Sequence, residues 1–60
     1  MDFKSFYSEV VEWIADHTSC NLDDAVKEVD AAEDQVRRDF ANGVSSETTA
    51  YNLCTTRHIC

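Results

Sequence analysis

Proline is absent and glycine occurs once, at Gly43. The two residues that most strongly interrupt helices are therefore almost missing, which favours an all-helical chain. Long hydrophobic runs are missing too. Apolar residues come in twos and threes, far short of the roughly 20 that a membrane-spanning helix needs. Cations are scarce, 5 Lys and Arg against 12 Asp and Glu, giving a net charge of −7 and a pI near 4.4. That balance argues against non-specific nucleic-acid binding, which rests on phosphate neutralisation. It also argues against an anionic membrane surface, which calls for a polybasic stretch. Met1-Asp2-Phe3-Lys4 has neither the charged nor the apolar region of a secretory leader. The chain has no glycine-rich phosphate loop, no His-Glu-x-x-His, no Cys-x-x-Cys and no Gly-x-Ser-x-Gly. Cys54 and His58 offer one Cys–His pair, but a nucleophile also needs an oxyanion hole and a cleft, which so small a helical chain hardly provides. A non-enzymatic protein is the expectation.

What is present is 60 residues, 43% of them hydrophobic and 10% aromatic, which argues against disorder despite the charge. A single domain of this length buries only about 60% of its unfolded surface. It therefore needs support from disulfides, a metal, a dimer partner or a bound target. Periodicity predicts three helices, over 3–17, 22–41 and 46–55, forming an up-down-up three-helix bundle. The first carries Phe3, Phe6, Val10, Trp13, His17 and Cys20 at alternating spacings of three and four, with Asp2 as its N-cap. The second starts at the Asn21 cap, presents Leu22, Val26, Val29, Ala32, Val36 and Phe40 as its apolar face, and stops at Asn42-Gly43. Such a helix of about 20 residues is roughly 30 Å long. The third starts near Ser45 or Ser46 and packs through Ala50, Leu53 and Cys54, with threonines lowering its helix propensity.

The cysteine count is three, an odd number, so free thiols in a reducing cytoplasm are the simplest expectation. In a parallel arrangement of the first and third helices, His17 and Cys20 lie at the same end as Cys54 and His58. Two Cys and two His suit a tetrahedral zinc site, although neither pair has knuckle spacing. The main expectation is no cofactor, with Cys20 and Cys54 acting as small buried hydrophobes and zinc on these four residues as the alternative. A Cys20–Cys54 or Cys20–Cys60 disulfide is the third reading.

Acidity belongs to the first two helices. On the first, Glu9, Glu12 and Asp16 share one sector. On the second, Asp24, Glu28 and Asp39 form a flank with no basic residue among them. A solvated, solubilising face is one reading; an acidic surface aimed at a basic protein, whose field speeds association, is the other. The first helix also has an apolar arc of roughly 160°, wider than the stripe that one core contact uses. Its surplus, Tyr7, Val11 and Ile14, is either a broad core or a contact for a partner or a second copy. A helix-turn-helix through Ala41-Asn42-Gly43-Val44 is disfavoured by the carboxylates it would bring to a duplex.

In size, acidity, helical content and lack of a catalytic motif, the chain resembles the small host-takeover and anti-defence proteins of phages, such as anti-CRISPR proteins. The resemblance rests on composition over the whole chain, so it transfers no functional residue. It implies an inhibitor that blocks a nucleic-acid-binding protein or nuclease complex by protein–protein contact in the host cytoplasm. The expected contact residues are Asp24, Glu28, Asp39, Glu9, Glu12, Asp16, Tyr7 and Val11, with no direct nucleic-acid or membrane binding. The alternative is a dimeric regulatory or adaptor module, zinc-stabilised through the four Cys and His residues.

Overall fold

A computed structural model of the chain describes residues 1–59. Four helices follow in chain order: α1 (Phe3–His17), α2 (Leu22–Ala31), α3 (Glu33–Ala41) and α4 (Ser46–Arg57), with no strand among the described residues. The fold is all-α, but it is not the expected three-helix up-down-up bundle, because the long second helix is two helices.

The break falls at Ala32, whose backbone (φ −111, ψ 25) leaves the helical region. Its N–H bonds to the Val29 carbonyl at 3.0 Å, a tighter turn than the helical ladder, and its own carbonyl accepts from Val36 at 3.1 Å to start α3. No side chain caps α3, although Glu33 and Asp34 in its first turn suit the dipole. Apolar spacing runs through the break without interruption: Ala25, Val29, Ala32 and Val36 are all buried. Local propensity therefore gives no reason to bend at an alanine, and packing does. Bending carries Phe40 onto α1, where its ring lies 5.5 Å from Phe3 and 5.2 Å from Phe6.

The other helix starts follow their capping residues. Asp2 accepts from the Ser5 N–H at 2.9 Å, Asn21 from Asp24 at 2.8 Å and Ser45 from Thr48 at 3.2 Å. Gly43, at φ 77, ends α3 in the left-handed region as expected. Helix α4 outruns its expected end by two residues, because the Thr55 and Thr56 hydroxyls bond back to the Tyr51 and Asn52 carbonyls and are accommodated within it. His58 closes α4 at φ 53 and Ile59 then returns to the core.

Helix α1 is the hub, packing against all three others. Its buried face is Phe6, Val10, Val11 and Ile14, turned from the expected face so that His17 is exposed and Trp13 half-buried. The apolar arc is wide because α2 and α4 cover opposite edges of it. Among the cysteines, Cys20 is buried and disulfide-bonded while Cys54 is a free thiol. Free thiols throughout are thus ruled out, and so is a Cys20–Cys54 bridge; the Cys20–Cys60 alternative involves a residue outside those described.

Candidate functional site

The exposed carboxylates fall into two groups. On α1, Glu9, Glu12 and Asp16 are all exposed, and Glu9 accepts from the Ser46 hydroxyl at 2.7 Å, tying α1 to the first turn of α4. On α2, Asp24 is exposed and Glu28 half-buried. Asp39 does not extend their row. It sits beyond the break at Ala32, is only 8% exposed, and accepts from Gln35 at 3.1 Å through Oδ1 while Oδ2 is buried without a partner. The expected flank of Asp24, Glu28 and Asp39 is therefore a pair, shortened by the break and by burial.

Neutralisation among these charges is slight. The one ion pair among the described residues joins Arg37 Nε to Glu33 Oε2 at 2.7 Å, four residues apart on α3. Arg37 also lies 4.7 Å over the Phe3 ring, so its guanidinium is partly directed inward. The other carboxylates have no contacting cation among the described residues.

Between α1 and α2 runs a surface groove of about 230 Å³, lined by Tyr7, Ser8, Val11, Glu12, Leu22 and Val26. Val11 is 5% exposed and forms the floor, which corrects the expectation that it projects as a contact residue; Ile14, from the same surplus arc, is wholly buried. Tyr7 is half-buried. Burial first, and then the charges of Asp30 and Glu33, push its phenol above the ordinary range, so carboxylates lie close to this wall. Leu22 and Val26, expected in the core, are instead 57% and 41% exposed. Their one-turn spacing places them on the edge of α2 that flanks the buried Ala25 and Val29, between that face and Asp23 and Asp30. This edge was missed because Leu22 and Val26 fit the apolar stripe of a single long helix.

A second groove of about 290 Å³ lies where the α2–α3 break meets α4. Arg38 and Arg57 line it together with Asp34 and Thr56, so its charge is mixed.

The Cys and His residues are not assembled into a centre. Cys20 is committed to a disulfide, and His17 is exposed, its ring stacked on Trp13 at 4.1 Å with Nδ1 2.9 Å from the Trp13 carbonyl oxygen. Among the described residues no three His, Cys, Asp or Glu side chains come together as a metal site. Burial pushes the Cys54 thiol up, the direction opposite to an activated thiolate. No helix among the described residues is long and apolar enough to cross a membrane.

Compared with protein-family models, curated proteins and solved structures, the chain matches none.

Proposed function

We propose that the protein is a small acidic interaction module that docks on the basic surface of a nucleic-acid-binding protein or nuclease complex and blocks it by contact. Anti-defence inhibitors of the anti-CRISPR type are the model for this reading, and it assigns the chain no catalysis and no cofactor. The observation that supports it is the near-absence of internal neutralisation: 12 acids share 5 cations, and one ion pair forms among the described residues. A field left open in this way raises the encounter rate with a basic groove and aligns the partners. Glu12, Asp16 and Asp24 are its best-placed carriers, since all three are exposed and make no side-chain hydrogen bond or ion pair among the described residues. The disulfide at Cys20 removes one argument for a reducing compartment, the one drawn from free thiols, and leaves the contact reading as it is.

The test is capture followed by competition. The protein, immobilised, is exposed to a bacterial lysate, and the captured species is challenged with duplex DNA. A nucleic-acid-binding protein released by duplex DNA and by salt, and lost when Glu12, Asp16 and Asp24 are all changed to Lys, is the expected result. Single exposed carboxylates are each worth only about 0–1 kcal/mol, hence the triple change. A captured protein indifferent to DNA, or retained by the triple variant, refutes the reading.

A further inference from the structure

We infer that the groove between α1 and α2 is the seat of a basic amphipathic helix presented by the partner, its apolar side chains lying over Val11 between Tyr7 on one wall and Leu22 and Val26 on the other. This deepens the proposed function and rests on it, since it names which part of a basic partner is gripped.

Three observations carry it. First, the groove is apolar where nothing within the chain covers it: Leu22 and Val26 are more than one-third exposed beside a floor that is buried. Second, its walls have helical spacing. Ser8 and Glu12 on α1, and Leu22 and Val26 on α2, are each four residues apart, so each pair forms a ridge of one turn, with the Val11 floor in the furrow between. A third helix fills such a furrow by ridge-into-groove packing, reading out as anchors three, four and seven residues apart. An extended segment has no sheet edge to join, because no strand is present among the described residues. Third, the rim is acidic. Glu12 lies on the α1 side, Asp23 and Asp30 follow Val26 around the α2 side, and the charge of Asp30 reaches the Tyr7 phenol, as does that of Glu33, which Arg37 pairs. Lys4 stands one turn before Ser8, Arg37 lies over Phe3 at that same end, and Lys27 lies farther around α2 than Asp23 and Asp30, so the cations mark one end and the outer edge of the rim rather than its length. A helix with Lys or Arg flanking an apolar stripe matches both features.

A second copy of this chain is a poorer occupant. Pairing two such grooves opposes carboxylate rims and brings together two molecules of net charge −7, a repulsion that like-charge juxtaposition makes costly.

The probe is a synthetic helix of about 18 residues, with Leu and one Trp on one face and Lys on the other. At about 27 Å it spans the 28 Å length of the molecule. A peptide of the same composition, scrambled so that no apolar face forms, and an analogue with Glu in place of Lys serve as comparisons. Binding is measured by calorimetry, and the contact surface by NMR shift changes. The amphipathic Lys peptide is expected to bind at least about tenfold more tightly than either comparison, shifting the signals of Tyr7, Val11, Leu22 and Val26. Leu22→Ser with Val26→Ser removes that advantage. Both residues are exposed, so the variant keeps the core, and circular dichroism checks this. Glu12→Lys with Asp30→Lys removes it from the rim side, as a second and independent variant. Equal binding of the scrambled peptide, with shifts confined to Glu9, Asp16 and Asp24, overturns the groove assignment and leaves the basic-partner reading intact. Failure of both Lys peptides to bind at low salt overturns both. Tight binding of the Glu analogue, or a dimer in sedimentation whose interface shifts are these same residues, overturns the choice of occupant.

Discussion

Thr49 lies on α4 with no exposed surface, and its hydroxyl Oγ1 has no hydrogen-bond partner among the described residues. Other threonines differ: the Thr18, Thr55 and Thr56 hydroxyls each bond the carbonyl four residues earlier, at 2.6, 3.0 and 2.8 Å. A buried hydroxyl left unpaired costs about 1–3 kcal/mol of desolvation. Thr49→Val keeps the branched shape, replaces the hydroxyl by a methyl and leaves helix propensity almost unchanged. A gain of about 1–2 kcal/mol is therefore expected. A protein of this length has roughly 3–9 kcal/mol of total stability, so the gain is a large fraction of it. Each 1 kcal/mol moves the melting temperature of so small a domain by about 4–8 °C. Urea unfolding followed by far-ultraviolet circular dichroism measures it: the midpoint rises and the slope stays constant. Thr55→Val is the control, because that side chain is exposed and already bonded; its effect lies within about 0.5 kcal/mol. A Thr49→Val midpoint at or below the parent's, or an equal gain at Thr55, refutes the reasoning.

Phe40→Ala removes the ring that joins α3 to Phe3 and Phe6; being half-buried, it is expected to cost about 2–3 kcal/mol, below the full core value, as read by the same denaturant titration. Reducing the Cys20 disulfide is expected to cost about 2–4 kcal/mol, seen as a lower melting temperature in reductant and absent in Cys20→Ser. The Asp2 carboxyl is held below its usual value by the Ser5 N–H it caps. Its stabilisation of α1 is thus complete above the ordinary carboxylate range and is lost as pH falls through the lowered value. The protection of the Ser5 amide against hydrogen exchange, relative to the intrinsic rate at each pH, should fall on acidification in the parent and stay flat in Asp2→Asn.

The local signals in the chain were legible because they act locally. Asp2, Asn21 and Ser45 cap helices through bonds to N–H groups three residues on, and Gly43 takes a backbone angle that few other residues tolerate. The break at Ala32 was not legible, because alanine is the best helix former and the apolar spacing is continuous from Ala25 to Val36. Only the position of α1, distant in sequence, requires the bend. The site inherits the same limit. On a straight helix Asp39 falls in line with Asp24 and Glu28, and Leu22 and Val26 fall in line with Val29. Once the axis bends at Ala32, Asp39 turns inward and is buried. Cys20 was opaque for another reason: an odd cysteine count leaves open which thiols pair.

The exposed pair Leu22 and Val26 and the modest size of the domain have a common origin. Helix α1 has three neighbours, with α2, α3 and α4 all used to close its apolar arc, and none of the described elements roofs the cleft between α1 and α2. Covering it within the chain would take another helix, and a domain of this length already buries only about 60% of its unfolded surface. The partner helix proposed for the cleft would supply the missing layer, so binding and folding would draw on the same apolar area. The linkage is quantitative: at a free partner concentration of 100 times Kd, the folded chain gains about 2.7 kcal/mol. Against a total of roughly 3–9 kcal/mol, the bound protein is then markedly more stable than the free one. The difference is expected to be concentrated at the edge of α2 that carries Leu22 and Val26, whose exposed apolar surface has the most water to exchange for contact; slowed amide exchange spread evenly over the chain on peptide binding would refute this.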